Sequence, residues 1–103
     1  MMTWRLMRGD TVIGNLADDG CDMPFFLLRF TPEPGWEAVR PRFEALAAAV
    51  GCTDPDGRRL VAAVKALQDL ELTLEDVEGR EASLRVWRNC FLHIWGTDAR
   101  LRY

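Results

Sequence analysis

The stretch VRPRFEALAAAVGCTDPDGRRLVAAVKALQDL, Val39 to Leu70, carries helical periodicity, while the chain on both sides of it reads as strand. Pro41 lacks an N–H and clashes with the preceding turn, so it belongs in a first turn. That places the start of a first helix near Val39–Pro41 and its end near Gly51, a plausible C-cap. Phe43, Leu46, Ala47 and Val50 follow i, i+3, i+4, i+7 spacing and predict one apolar face. Asp54-Pro55-Asp56 reads as an N-cap followed by Pro in the first turn of a second helix that runs to about Leu70. Leu60, Val64 and Leu67 share its apolar face, widened by Val61 and Ala63. The short connection predicts two roughly antiparallel helices.

Working outward from this pair, the N-terminal side predicts a hairpin over Thr3–Leu16. Gly9-Asp10 is its two-residue loop, with Gly in the place that suits a type II′ turn. Ala17 to Asp22 reads as an acidic loop. Phe25 to Phe30 is a nearly unbroken apolar run, read as a central strand covered on both faces, and Thr31-Pro32-Glu33-Pro34-Gly35 ends it. On the C-terminal side, Leu72–Leu74, Leu84–Trp87, Cys90–Trp95 and Ala99–Tyr103 read as strands, separated by turns at Glu78–Glu81 and Gly96-Thr97. Strands, then helices, then strands predict a single α+β domain over residues 1–103: a mostly antiparallel sheet, made of an N-terminal hairpin plus strand and C-terminal strands, packed on two helices.

Composition narrows the class. The chain has 103 residues, 49% hydrophobic and 28% charged. That mix excludes a disordered tail, a collagen-like chain, a disulfide scaffold and a coiled coil. The formal net charge is −3, which argues against a general duplex-DNA binder. Arginine supplies nearly all the positive charge, Lys65 being the sole lysine, a bias that points to a GC-rich bacterial source. Cys21, Cys52 and Cys90 are odd in number and form no C-x-x-C. With no signal-length apolar run after Met1-Met2-Thr3-Trp4-Arg5, free thiols in a reducing cytoplasm follow. The apolar cluster Met23–Leu28 is far short of the ~20 residues of a membrane span.

The last hairpin is the richest constellation. A Gly96-Thr97 loop pairs Trp95 with Asp98, His93 with Arg100 and Phe91 with Arg102. Alternation then assigns Cys90, Leu92, Ile94, Ala99, Leu101 and Tyr103 to the core. Phe91, His93, Trp95, Asp98, Arg100 and Arg102 fall on the other face, which suits a protein partner, a nucleobase or an anion. The same rings could instead pack beneath the helices, flanked by the arginines.

Chemistry is otherwise thin. His93 is the only histidine and the natural acid–base candidate, with Asp98 or Glu75 as orienting carboxylates. Cys90-x-x-His93 puts its two side chains on opposite faces of a strand and has no second pair to complete a zinc site. Cys21 sits among aspartates, Cys52 follows a helix C-terminus and Cys90 faces the core, so none is a favourable nucleophile. Ser83 is the sole serine and lacks the nucleophile-elbow context. Asp18–Asp22 lacks the calcium-loop spacing, and no phosphate-binding glycine loop occurs. No catalytic residue, metal or cofactor is assigned.

Trp4-Arg5, Arg8, Gly14-x-Leu16, Asp22-x-Pro24-Phe25, Phe30-x-Pro32-x-Pro34, Val39-Arg40-Pro41-x-Phe43 and Phe91-Leu92-His93-Ile94 together resemble a family of short bacterial proteins of unknown function. Phe25 stands where that pattern usually has Trp, and Trp95-Gly96-Thr97-Asp98 replaces an acidic turn. The resemblance implies this order of elements and a bacterial, intracellular setting.

Together these features lead us to expect a non-enzymatic intracellular protein-binding module, immunity-like or an accessory regulator, whose partner is another protein or a second copy. The alternatives are a small-ligand protein or enzyme with a pocket centred on His93, and a nucleic-acid binder using Arg100 and Arg102.

Overall fold

A computed structural model describes residues 3–103; Met1 and Met2, which the sequence reading includes, lie outside them. The elements are β1 (Thr3–Arg8), β2 (Thr11–Asp22), β3 (Phe25–Pro32), α1 (Trp36–Gly51), α2 (Arg58–Gln68), β4 (Leu72–Asp76), β5 (Leu84–Arg85), β6 (Phe91–Trp95) and β7 (Asp98–Arg102). All the strands join one sheet in the order β5-β4-β1-β2-β3-β7-β6, every neighbouring pair antiparallel. The α+β class and the strands–helices–strands order hold.

The connectivity forces this sheet to curl. Seven strands laid flat at ~4.8 Å spacing would separate β5 from β6 by ~29 Å. Residues 86–90 link them, and Val86 and Cys90 are themselves bridged. That bridge is parallel, because an even number of antiparallel reversals separates the two edge strands. The sheet therefore wraps nearly into a barrel around its apolar face. Trp4, Leu6, Leu16, Phe30, Leu74, Leu92 and Leu101 enter the core from the strands, and Val39, Phe43, Leu46 and Leu67 from the helices, all 0–1% exposed. Burying side chains of this kind contributes ~1.5–3 kcal/mol each.

The Gly9-Asp10 turn is as expected: Arg8 faces Thr11, and of the two loop residues only Gly9 has positive φ, at 59°. Four expectations change. The acidic segment Ala17–Asp22 is not a loop but the far half of β2, because Phe25–Leu28 supply a partner strand, and the turn falls at Met23-Pro24. That turn contains a cis Met23-Pro24 peptide. β3 is central in the sheet yet covered on one face alone: Leu28 and Phe30 are buried, while Phe25 and Leu27 are half-buried on the other side and Arg29 is exposed.

The first helix begins at Trp36, so Pro41 lies inside it rather than in its first turn. Tertiary packing overrides the proline: the Trp36 ring contacts Phe30 at 4.6 Å and Phe43 at 5.3 Å, anchoring the extra turn. The buried face then runs Trp36, Val39, Phe43, Leu46, Ala49, and Val50 is exposed. The second helix starts at Arg58, later than read, because Asp54–Gly57 forms a turn closed by the Gly57 N–H donating to the Asp54 carbonyl at 3.1 Å. Gly57 rather than Asp54 is its N-cap residue, and the Asp54 carboxylate accepts the Leu60 N–H at 3.1 Å from the preceding turn. Ala63 and Leu67 are the buried residues of α2, and Leu60 and Val61 are exposed.

Candidate interaction face

The last hairpin folds in the register read from the sequence: Phe91 opposite Arg102, His93 opposite Arg100, Trp95 opposite Asp98. Cys90, Leu92, Ile94, Ala99 and Leu101 are buried, as alternation requires. Tyr103 departs from that set. It is 47% exposed at the sheet rim, stacked on Phe26 at 5.5 Å and edge-on to Trp4 at 5.7 Å. The second set of residues lies on the outer face of the curled sheet, with Trp95 at its end next to α1, where it lines a cleft with Arg40 and Glu44. Phe91 is 47% and Trp95 37% exposed, Asp98, Arg100 and Arg102 are exposed, and His93 is half-buried. The rings do not pack beneath the helices.

These side chains form one connected stack. His93 lies parallel to Trp95 at 5.3 Å and meets Trp87 edge-on at 5.1 Å; Trp87 meets Phe91 edge-on at 5.3 Å. The Arg100 guanidinium stands 5.9 Å from the Trp95 ring, and that of Arg102 stands 5.9 Å from the Phe91 ring. Such pairs hold a cation over the negative face of a ring. Among the described residues neither arginine has a carboxylate within 4.0 Å. The neighbouring β3 adds Phe25, 6.4 Å from His93, and Leu27, opposite Arg100. A shallow cleft of about 510 Å³ opens on this face, lined by Asp19, Leu27, Trp95, Asp98 and Arg100. His93 is not in its lining, so the cleft does not centre on the histidine.

Trp87 was missed in the sequence, where it reads as an alternating strand residue. The strand instead stops at Arg85, whose N–H donates to the Asn89 side chain at 2.6 Å, closing a tight turn. Trp87 is held there at φ 61° by three bonds: its N–H donates to the Cys90 carbonyl at 2.9 Å, its indole N–H to the Leu92 carbonyl at 3.0 Å, and its carbonyl accepts the Gln68 amide at 2.7 Å. A left-handed non-glycine residue needs such over-determination. The Arg88-Asn89 step was the available signal for that turn.

The face is poorly equipped for acid–base work. His93 Nδ1 is buried with no hydrogen-bond partner, and neither expected carboxylate serves it. Asp98 stands opposite Trp95, and Glu75 stands opposite Arg5 on β1. Burial pushes the His93 pKa down, and the Arg100 charge pushes it further, so the imidazole is neutral at pH 7. Burial raises the Cys90 thiol to about 11, which keeps it protonated. Among the described residues no three His, Cys, Asp or Glu side chains gather as a metal site requires.

Comparison of the chain with protein-family models, with curated proteins and with solved structures finds no match.

Proposed function

We propose that this chain is a protein-binding module without catalysis of its own, working in the bacterial cytoplasm as an immunity-like protein or accessory regulator. Its contact surface is the outer face of the last hairpin: Phe91, His93, Trp95, Asp98, Arg100 and Arg102. The observation that carries this reading is the pair of arginines lying over exposed rings without a carboxylate beside them. Tryptophan and arginine are the residue types that dominate binding energy when a partner desolvates them. A stack already ordered by ring–ring contacts loses little side-chain freedom on binding.

The test is partner binding by Trp95→Ala and Arg100→Ala. Both variants stay folded and lose affinity; wild-type affinity in both would remove this face as the site.

A further inference from the structure

We propose that the partner on this face is a second copy of the chain, seated about a two-fold axis that runs along β3. The inference rests on the protein-contact reading above and names its partner.

The argument comes from register. β3 lies between β2 and β7, and its outward residues are Phe25, Leu27 and Arg29. Leu27 stands opposite Gly20 on one flank and Arg100 on the other. Asp19 is the bulged residue beside Gly20, and its carboxylate lies on the outer face, 3.4 Å from Arg29. Phe25 stands opposite Asp22; carrying the register one residue past Phe26–Leu101 places Arg102 on its other side. Two rows of the outer face read acid, apolar, base, Asp22–Phe25–Arg102 and Asp19–Leu27–Arg100; the third is Ala17–Arg29–Asp98.

A two-fold axis along the middle strand exchanges the flanks and keeps the rows. Arg102 then faces Asp22 of the second copy, Arg100 faces its Asp19, Phe25 and Leu27 meet their own equivalents, and Arg29 meets its own with Asp19 3.4 Å away to offset the charge. This self-complementarity is the signature of an isologous contact. It also selects among partners. The aspartate flank repels an acidic protein and a nucleic acid, while the arginine flank repels a basic surface. Asp22, Arg100 and Arg102 have no ion pair among the described residues, and the Asp19–Arg29 pair is half exposed and weak.

The sheet curves away on both flanks and the shallow cleft beside Leu27 and Arg100 leaves a gap, so two copies touch along a strip. Three strands at ~4.8 Å by five residues at ~3.4 Å give a footprint of roughly 250 Å², well under the ~800 Å² per partner of a standard interface. The dimer is accordingly weak and salt-sensitive.

Sedimentation equilibrium of the whole chain from ~5 to ~500 µM, the range that brackets an interface below standard size, tests this. The expected result is concentration-dependent dimerisation that weakens when salt rises from ~0.05 to ~0.5 M. Arg102→Asp and Asp22→Arg should each weaken it at least ~10-fold, about 1.4 kcal/mol. Mixing the two variants, or combining both changes in one chain, should restore it. A monomer throughout the range, or dimers indifferent to the single reversals, overturns the proposal, as does failure of the mixture to pair. If the chain is monomeric yet Trp95→Ala abolishes binding to another protein, the second-copy inference fails and the protein-contact reading stands. If neither Trp95→Ala nor the charge reversals change any association, both fail.

Discussion

Gly14→Ala sets two physical effects against each other, and the structure fixes which prevails. Gly14 is buried in β2, opposite Leu6 on β1 and Pro32 on β3. A methyl group there would lie 3.0 Å from the Thr31 carbonyl oxygen and closer still to the Phe30 ring, which covers the position. Without that ring the substitution would stabilise by ~0.4–1 kcal/mol, because alanine loses less backbone entropy than glycine on folding. Phe30 is 1% exposed and wedged against Trp36, so it has no room to retreat. Overpacking of this kind costs ~1–3 kcal/mol. The ring would lie closer than 3.0 Å to the added methyl, which puts the cost in the upper half of that range, so the net is a destabilisation of roughly 1–2.5 kcal/mol, or a fall in Tm of roughly 5–15 °C for a domain of this size. Urea denaturation with unchanged m measures it directly. Adding Phe30→Leu should make the pair of substitutions cost less than their sum by at least ~0.5 kcal/mol. A Gly14→Ala variant as stable as wild type, or more stable, would refute the close packing of Phe30 over β2.

Arg100→Ala removes an exposed group and should change stability by less than ~1 kcal/mol in urea denaturation, Trp95→Ala also loses its stacking on His93 and should cost ~1–2 kcal/mol, and each should cost ~2 kcal/mol or more of partner affinity by calorimetry. Asp54→Ala leaves the Leu60 N–H without its acceptor and should cost ~1 kcal/mol, read as a loss of chemical-denaturation stability confined to no change in m. The folded-state pKa of His93 lies below its ordinary 6.5, so the unfolded chain takes up this proton first. Its contribution to stability is therefore whole above that value and declines as pH falls below it, until the folded-state pKa is passed. Stability curves from pH 8 to 5 should fall less steeply for His93→Gln than for wild type, and NMR titration of the imidazole should move upward in Arg100→Gln; parallel curves would contradict the burial of the ring.

Much of this fold is readable from local pattern. The two hairpin turns are legible because Gly9-Asp10 and Gly96-Thr97 carry their own conformational signal, and a two-residue loop fixes the register of both strands. The facing of Phe91, His93, Trp95, Asp98, Arg100 and Arg102 followed from that register alone. What the pattern concealed depended on contacts distant in sequence. Ala17–Asp22 is strand because β3 lies beside it, not because aspartates favour strands. The extra turn at the start of α1 exists because Trp36 reaches Phe30, which no helix-boundary rule includes. Trp87 joins the ring stack because the near-closure of the sheet between Val86 and Cys90 turns the chain back on itself, a property of seven strands together.

The most direct test of the contact face is quantitative affinity capture, with wild type, Trp95→Ala and Arg100→Ala as parallel baits in nuclease-treated lysate that also contains untagged chain. The expected result is one protein held in stoichiometric amount by wild type and lost from both variants, the weak self-dimer being read by sedimentation instead. Equal recovery of the same proteins by all three baits would contradict the assignment of the Trp95–Arg100 face as the site of binding.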